Sequence, residues 1–343
     1  MNATDKFEFN TKINTILSRF MFYSCVIVVV VFVLGNVLNI AICMRETIRK
    51  EMMGYYNVLI SFWNILSLAF LTFILYFPQS IQEQDLTLIS NFSCASINYI
   101  TRICIQMSAW IHVFLTIDRY LCLVINRANK MMSFLKSKKR LSLAFTGLLV
   151  LFCFVNVPNL YFSVSTDGKS NSKCISTPLI NQIRNLLIAI LRIIVPTILQ
   201  TIFSALIVHK LFKWKRGSSL NRIDPAIEKE HRFSRVILWL NLMFIITELP
   251  FLITTLYFSV LGLVPTYPLD MNTPYNLAIW TLAYYVTLVF GLYLFGSLFF
   301  VNLLTNKLFQ KEIKIILGFN VNTSSLGEQR TVGRDRRMIR PER

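Results

Sequence analysis

Seven stretches of this chain are apolar over the length a helix needs to cross a lipid bilayer. They lie near 20–44, 56–78, 96–124, 142–164, 180–209, 234–261 and 275–304. About 20 helical residues cover the ~30 Å hydrocarbon core, and in lipid each backbone N–H and C=O must be satisfied within its own segment. An outer-membrane barrel would instead alternate apolar and polar residues over strands of about ten residues. Hydrophobic residues make up 55% of the 343 and charged ones only 15%, a balance that excludes an ordinary soluble domain. The expected fold class is an all-α membrane protein, a seven-transmembrane helix bundle.

Lys and Arg set the expected orientation, because they gather in cytoplasmic loops. Segments 45–54, 125–140, 210–235 and 305–343 hold 26 of them, and segments 1–19, 79–93, 165–179 and 262–274 hold 5. The first set is expected inside and the amino terminus outside. The net charge of +18 then reports this rule and attraction to anionic lipid. Nucleic acid is not expected as a partner.

The segmentation that follows is a tail over 1–19, a bundle over 20–305, an amphipathic helix over 306–317 and a disordered tail over 318–343. No signal peptide is expected before the first span, since so short a tail needs none. In LFQKEIKIIL, residues Leu308, Phe309, Ile313, Ile316 and Leu317 share one face, as in a helix lying on a membrane surface. Asn2 and Asn91 open glycosylation sequons on the expected outer side. Of seven cysteines, Cys25, Cys43, Cys104, Cys122 and Cys153 lie in or at the edge of apolar spans, where Cys behaves as a small hydrophobe. Cys94 and Cys174 are left at the outer, oxidising surface and are expected to pair.

Polar residues inside apolar spans are costly and mark candidate function. The third span ends in Asp118-Arg119-Tyr120 and carries Arg102 near its start. An adjacent Asp can hold the Arg guanidinium folded back; a border Arg reading the end of the helix fits the triplet equally well. Gly35-Asn36 and Asn64 place a small residue and two amides where helices approach closely. Arg192 stands four residues before Pro196, and Glu248 two residues before Pro250. The two charges are expected at similar depth on adjacent helices, where pairing is the cheaper state. The three histidines, His112, His209 and His231, have neither metal-ligand nor catalytic spacing. No enzyme activity, metal or cofactor is expected.

Together these features resemble the rhodopsin-like (class A) G-protein-coupled receptors, over roughly residues 20–317. Cys94 lies twenty-five residues before Arg119, Gly35-Asn36 matches the helix-one motif, and Pro196, Phe244 and Pro250 match positions on helices five and six. Glu230, twenty residues before Pro250, matches the acid that holds the motif Arg at rest. The chain also departs from the pattern. Asn64 stands for the helix-two Asp, Glu248 for the helix-six Trp, Ser204 for a helix-five Tyr, and Leu298-Phe299-Phe300-Val301-Asn302 for the helix-seven motif. The helix-four Trp is missing, which makes the chain similar to divergent, orphan invertebrate peptide-type receptors.

The resemblance implies a plasma-membrane receptor that passes an extracellular signal to a heterotrimeric G protein, with Asp118 and Glu230 holding Arg119 at rest. Helix seven has no Lys, so a retinal-binding opsin is excluded. A transporter or channel, and a receptor-shaped protein that no longer signals, are the alternatives; no internal repeat supports the first. Thr101 stands where amine receptors carry an Asp, and Arg102 follows it. That points to a peptide ligand first and an anionic lipid or small acid second. The Arg192–Glu248 pair, with Arg102 nearby, is expected to replace the helix-six Trp as the ligand sensor.

Overall fold

A computed structural model describes residues 12, 16, 19–20, 23–24, 26–71, 88–124, 137–167, 171–217, 225–263 and 274–318, with side chains at fewer of these. Asn2 and the segments 1–11 and 319–343 lie outside the described residues. A π-helical turn, Val28–Val33, leads into α1 (Leu34–Cys43). There follow α2 (Met52–Leu68), α3 (Asn91–Val124) and α4 (Lys138–Val155), the last ending in a 3-10 turn, Val157–Tyr161. A hairpin of β1 (Ser163–Asp167) and β2 (Asn171–Ile175) comes next. The chain closes with α5 (Pro178–Trp214), α6 (Pro225–Leu263), α7 (Pro274–Thr305) and α8 (Lys307–Ile316). Five spans long and apolar enough to cross a membrane run along α2 to α6, that of α2 continuing to Leu71 and that of α4 to Tyr161, and α7 qualifies together with α8, which bends away by 96°. With the apolar α1, these helices form the seven-transmembrane bundle.

Several helices outrun the apolar run that marks them in the sequence, because local capping sets their ends. Before α3, the Ser90 hydroxyl accepts from the Ser93 N–H at 3.0 Å, so α3 begins at Asn91 rather than near 96. Before α5, Thr177 accepts from the Ile180 N–H and Pro178 opens the first turn, where its missing N–H costs nothing. Asn306 breaks α7 from α8 in an extended conformation, and its side chain accepts from the Leu308 and Phe309 N–H groups at 3.2 and 3.3 Å. The apolar face of α8 then packs Phe309 against Ile42, Cys43, Ile48 and Phe299. Glu312, on the buried side of α8, pairs with Arg45 at 2.8 Å and accepts from the Thr47 hydroxyl at 2.6 Å.

The pillar of the bundle is α3: 72% of its most apolar window is buried, against 28% for α4 and 33% for α5. Ile103, Met107, Ile111 and Leu115 on α3 run through one core shared with Tyr56 and Ile60, Phe145 and Phe152, Val236 and Leu240, and Leu298. The exposed apolar residues sit on outward faces, as at Leu143, Phe154 and Leu304, where a bilayer is the fitting solvent. Close helix approach uses glycine at two places on α1 and α7. A Cβ on Gly35 would lie 3.4 Å from the Phe299 ring, and one on Gly296 would lie 2.2 Å from Phe32. Phe32 therefore fills the space that any side chain at position 296 would need.

Candidate ligand and transducer sites

At one end of the bundle the hairpin is tied to α3. Cys94 and Cys174 form a disulfide with their Cα atoms 5.7 Å apart, across a sequence separation of 80. Two polar contacts hold the same edge: the Val164 N–H donates to Asn91 Oδ1 at 2.8 Å, and Asn98 Nδ2 donates to Cys174 Sγ at 3.3 Å. Val164 and Cys174 are register partners, so all three ties meet at one rung of the hairpin. Replacing Cys94 or Cys174 with Ser is expected to lower unfolding stability by about 2–5 kcal/mol, read as the denaturation midpoint of purified protein in detergent. One turn further along α3, Thr101 is buried and its hydroxyl is committed to the Ile97 carbonyl at 2.6 Å. Arg102 beside it is half-buried.

Deeper in the bundle, the structure brings Arg192 and Glu248 together. Arg192 Nη2 donates to Glu248 Oε1 at 2.9 Å, with side chains 6% and 1% exposed. The backbone of α5 is irregular where it carries this Arg. Pro196 lacks the N–H that would bond the Arg192 carbonyl. The turn before it, Ala189–Ile194, is π-helical, and the Val195 N–H reaches back five residues to Ile190. Such a turn disturbs the regular ladder of carbonyls. The Leu191 carbonyl accepts from Trp110 Nε1 on α3 at 2.7 Å. On α6, Pro250 likewise interrupts the ladder just beyond Glu248.

The pair has an aromatic side and a side where α7 presents a glycine. Arg192 Cζ lies 4.7 Å from the Phe251 ring centroid, a cation–π contact that spreads part of its charge. Opposite, Gly291 of α7 offers no side chain; a Cβ there would stand 3.7 Å from Arg192 Nη2 and 3.9 Å from Glu248 Oε1. Arg192 Nε and Glu248 Oε2 are buried with no hydrogen-bond partner. Each ion thus keeps a buried polar atom that the pair's own hydrogen bond does not use. Phe244, one helical turn from Glu248, is buried against Ala109 and Leu294.

Beneath the pair, amides join the helices through a shared carbonyl. Asn36 Nδ2 on α1 and Asn64 Nδ2 on α2 both donate to the Phe295 carbonyl, at 2.8 and 3.0 Å, and the Ser108 hydroxyl on α3 donates to Asn64 Oδ1 at 2.5 Å. A second layer joins Asn302 Nδ2 to Asn39 Oδ1 at 3.3 Å and Asn39 Nδ2 to Ser61 at 2.7 Å. On the far side of α3, Asn241 bridges Thr116 at 3.2 Å and Ser204 at 2.7 Å.

At the end opposite the disulfide, Arg119 Nη2 donates to Asp118 Oδ2 at 2.8 Å, with both residues at most 4% exposed. The neighbouring Tyr120 ring lies 5.5 Å from that of Phe203 on α5. Glu230 belongs to α6, and its side chain lies outside the described residues.

A family model for the 7 transmembrane receptor, rhodopsin family, matches residues 35–299. The chain belongs to that family. A search of curated proteins finds no match. As a rhodopsin-family protein it is a multi-pass membrane receptor rather than an enzyme. The places where this receptor departs from its family's pattern are filled by contacts that can be named. Asn64 bonds Ser108 and the α7 backbone, so an amide occupies the position of the acid. Ser204 completes the bond to Asn241 that ties α5 to α6. Asn302, in the altered helix-seven stretch, reaches α1. Sequence reasoning did not anticipate Trp110, Gly291, Asn39 or Asn241. The i, i+3 spacing of Asn36 and Asn39 was a readable sign that one face of α1 carries two amides.

Proposed function

We propose that this receptor sits in the plasma membrane with its amino terminus outside, binds a ligand carrying an anionic group, a peptide in the first place, and activates a heterotrimeric G protein at the Arg119 end. The observation that carries the reading is the buried Arg192–Glu248 pair, in which Arg192 Nε and Glu248 Oε2 are buried and unused. A ligand carboxylate that engages Arg192 competes with Glu248 for the same guanidinium. Glu248 is then released, and with it the contact that links α5 to α6. Binding energy is thereby spent on one packing of the bundle over another, which is what a ligand needs to shift a population. Thr101 and Arg102 lie on the α3 side of the route from the disulfide end, and Phe244 on the wall below the pair.

At the other end, Asp118 and Glu230 hold Arg119 in the resting packing, and its release opens the site for the G-protein α subunit. The excess of Lys and Arg at that end supports its placement in the cytoplasm. Asn91 and Asn2 would then carry glycans outside, where Asn91 keeps Nδ2 free of the bond that its Oδ1 makes to the hairpin. The α8 helix would lie along the inner membrane surface, ahead of a disordered tail.

The test is a G-protein activation screen against peptide and lipid libraries, with Arg119→Ala as the non-signalling control. An agonist with a free carboxylate is expected to lose about tenfold in potency or more when that group is amidated, since a charge-assisted hydrogen bond is worth about 1.5–3 kcal/mol. An agonist without any anionic group, whose potency is unchanged in Arg192→Gln, would sink the ligand assignment.

A further inference from the structure

Between α6 and α7, towards the Arg119 end, the surface opens into a groove of about 630 Å³. Trp239 and Met243 form its α6 side, Ser297, Val301 and Leu304 its α7 side, and Phe32 of the π-helical turn before α1 also lines it. Phe32 reaches that place because position 296 is glycine. The volume falls within the ~300–1,000 Å³ usual for small-molecule sites. Its lining is unusual in offering almost no hydrogen bonds. Of the three hydroxyl-bearing residues in the lining, Tyr293, Ser297 and Thr305, the two aliphatic ones are turned back on their own helix: Ser297 Oγ donates to the Leu294 carbonyl at 2.8 Å and Thr305 Oγ1 to the Val301 carbonyl at 2.5 Å. Trp239 and Leu304 are 54% and 77% exposed, so the groove opens on the lipid-facing side of the bundle. An occupant is apolar along the groove and comes from the bilayer.

The Arg119 end of the groove is cationic. Residues 235, 239 and 243 fall on one stripe of α6 at i, i+4 spacing, so the exposed Arg235 continues the line of Trp239 and Met243 towards the membrane surface. On the α7 side, Leu304 and Thr305 are followed at once by the exposed Lys307, where the chain turns into α8. Two cations therefore stand at the end of an apolar channel. We infer that the α6–α7 groove binds an anionic phospholipid, with an acyl chain along Trp239, Met243 and Val301 and the phosphate-bearing headgroup between Arg235 and Lys307. Basic pockets between transmembrane helices on the cytoplasmic side recognise anionic headgroups in this way, and that leaflet holds the anionic lipid. The leaflet assignment rests on the orientation proposed above; the groove and its two cations do not.

The experiment uses the full chain in nanodiscs of phosphatidylcholine, doped with either brominated phosphatidylserine or brominated phosphatidylcholine at the same low fraction. Bromine quenches an indole that it touches, and the difference between the wild type and Trp239→Phe isolates the Trp239 signal. Nanodiscs present both leaflets to the lipid pool, so the result is independent of orientation and of signalling. Brominated phosphatidylserine is expected to occupy the groove about fivefold or more in preference to brominated phosphatidylcholine, and the preference is expected to fall to parity in Arg235→Gln/Lys307→Gln, whose two sites are exposed. Equal quenching by the two lipids in the wild type, absence of quenching by either, or a preference that survives the double substitution would each overturn the inference.

Discussion

Removing either partner of the Arg192–Glu248 pair is expected to destabilise the bundle by about 3–5 kcal/mol, because it strands the other charge in a buried site. The variants are Arg192→Met and Glu248→Leu, and the reading is the denaturation midpoint in detergent. The double variant is expected to recover most or all of the loss. Two apolar side chains of similar size need no partner, and replacing a whole buried ion pair in this manner is often neutral or stabilising by about 1–4 kcal/mol. The geometry makes the coupling specific. The 2.9 Å hydrogen bond joins the two side chains directly, while Arg192 Nε and Glu248 Oε2 stay buried and unused. The ring of Phe251 continues to cover position 192 in the double variant and is expected to pack against the Met. Strict additivity of the two single effects would mean that the residues do not interact. The sensor role would be lost with that result.

Arg119→Ala is expected to abolish G-protein activation when compared with wild type at equal folded receptor. Asp118→Asn is expected to raise activation in the absence of ligand. Asp118 and Arg119 meet in a bond at 2.8 Å, and both are almost fully buried at the end of the central helix. A charge-assisted bond is worth about 1.5–3 kcal/mol, so weakening it shifts a resting population towards the open packing about tenfold or more. Glu230→Gln is expected to act in the same direction. Nucleotide exchange on purified heterotrimers measures all three. Exchange at the wild-type rate by Arg119→Ala would show that this residue is not the switch.

Hydropathy made the seven helices readable, because lipid imposes both their length and their type. The disulfide was readable for a related reason: the expected topology left two cysteines outside the spans on one side, and the structure joins them. The juxtaposition of Arg192 and Glu248 was expected from charge cost and depth, and the ion pair is present. What sequence did not reveal are contacts made by groups that carry no pattern. The carbonyl of Phe295 that gathers Asn36 and Asn64 is a backbone atom, and every residue has one. Gly291 matters through the side chain that it lacks. The π-helical turn that contains Arg192 depends on hydrogen-bond register, which periodicity over a uniformly apolar run cannot report. Helix ends differed from the apolar limits for a similar reason, since single side chains such as Ser90 and Thr177 set them.

The central claim is that the buried pair gates the switch at the opposite end of the bundle. Ligand-free nucleotide exchange on reconstituted heterotrimers tests it most directly, with wild type, Glu248→Gln and Glu248→Gln/Arg119→Ala compared at equal folded receptor. Glu248→Gln is expected to exchange nucleotide about tenfold faster than wild type, for loss of one charge-assisted contact, and the added Arg119→Ala to return the rate to the receptor-free background. Rates for Glu248→Gln equal to wild type, or an elevated rate that persists without Arg119, would contradict it.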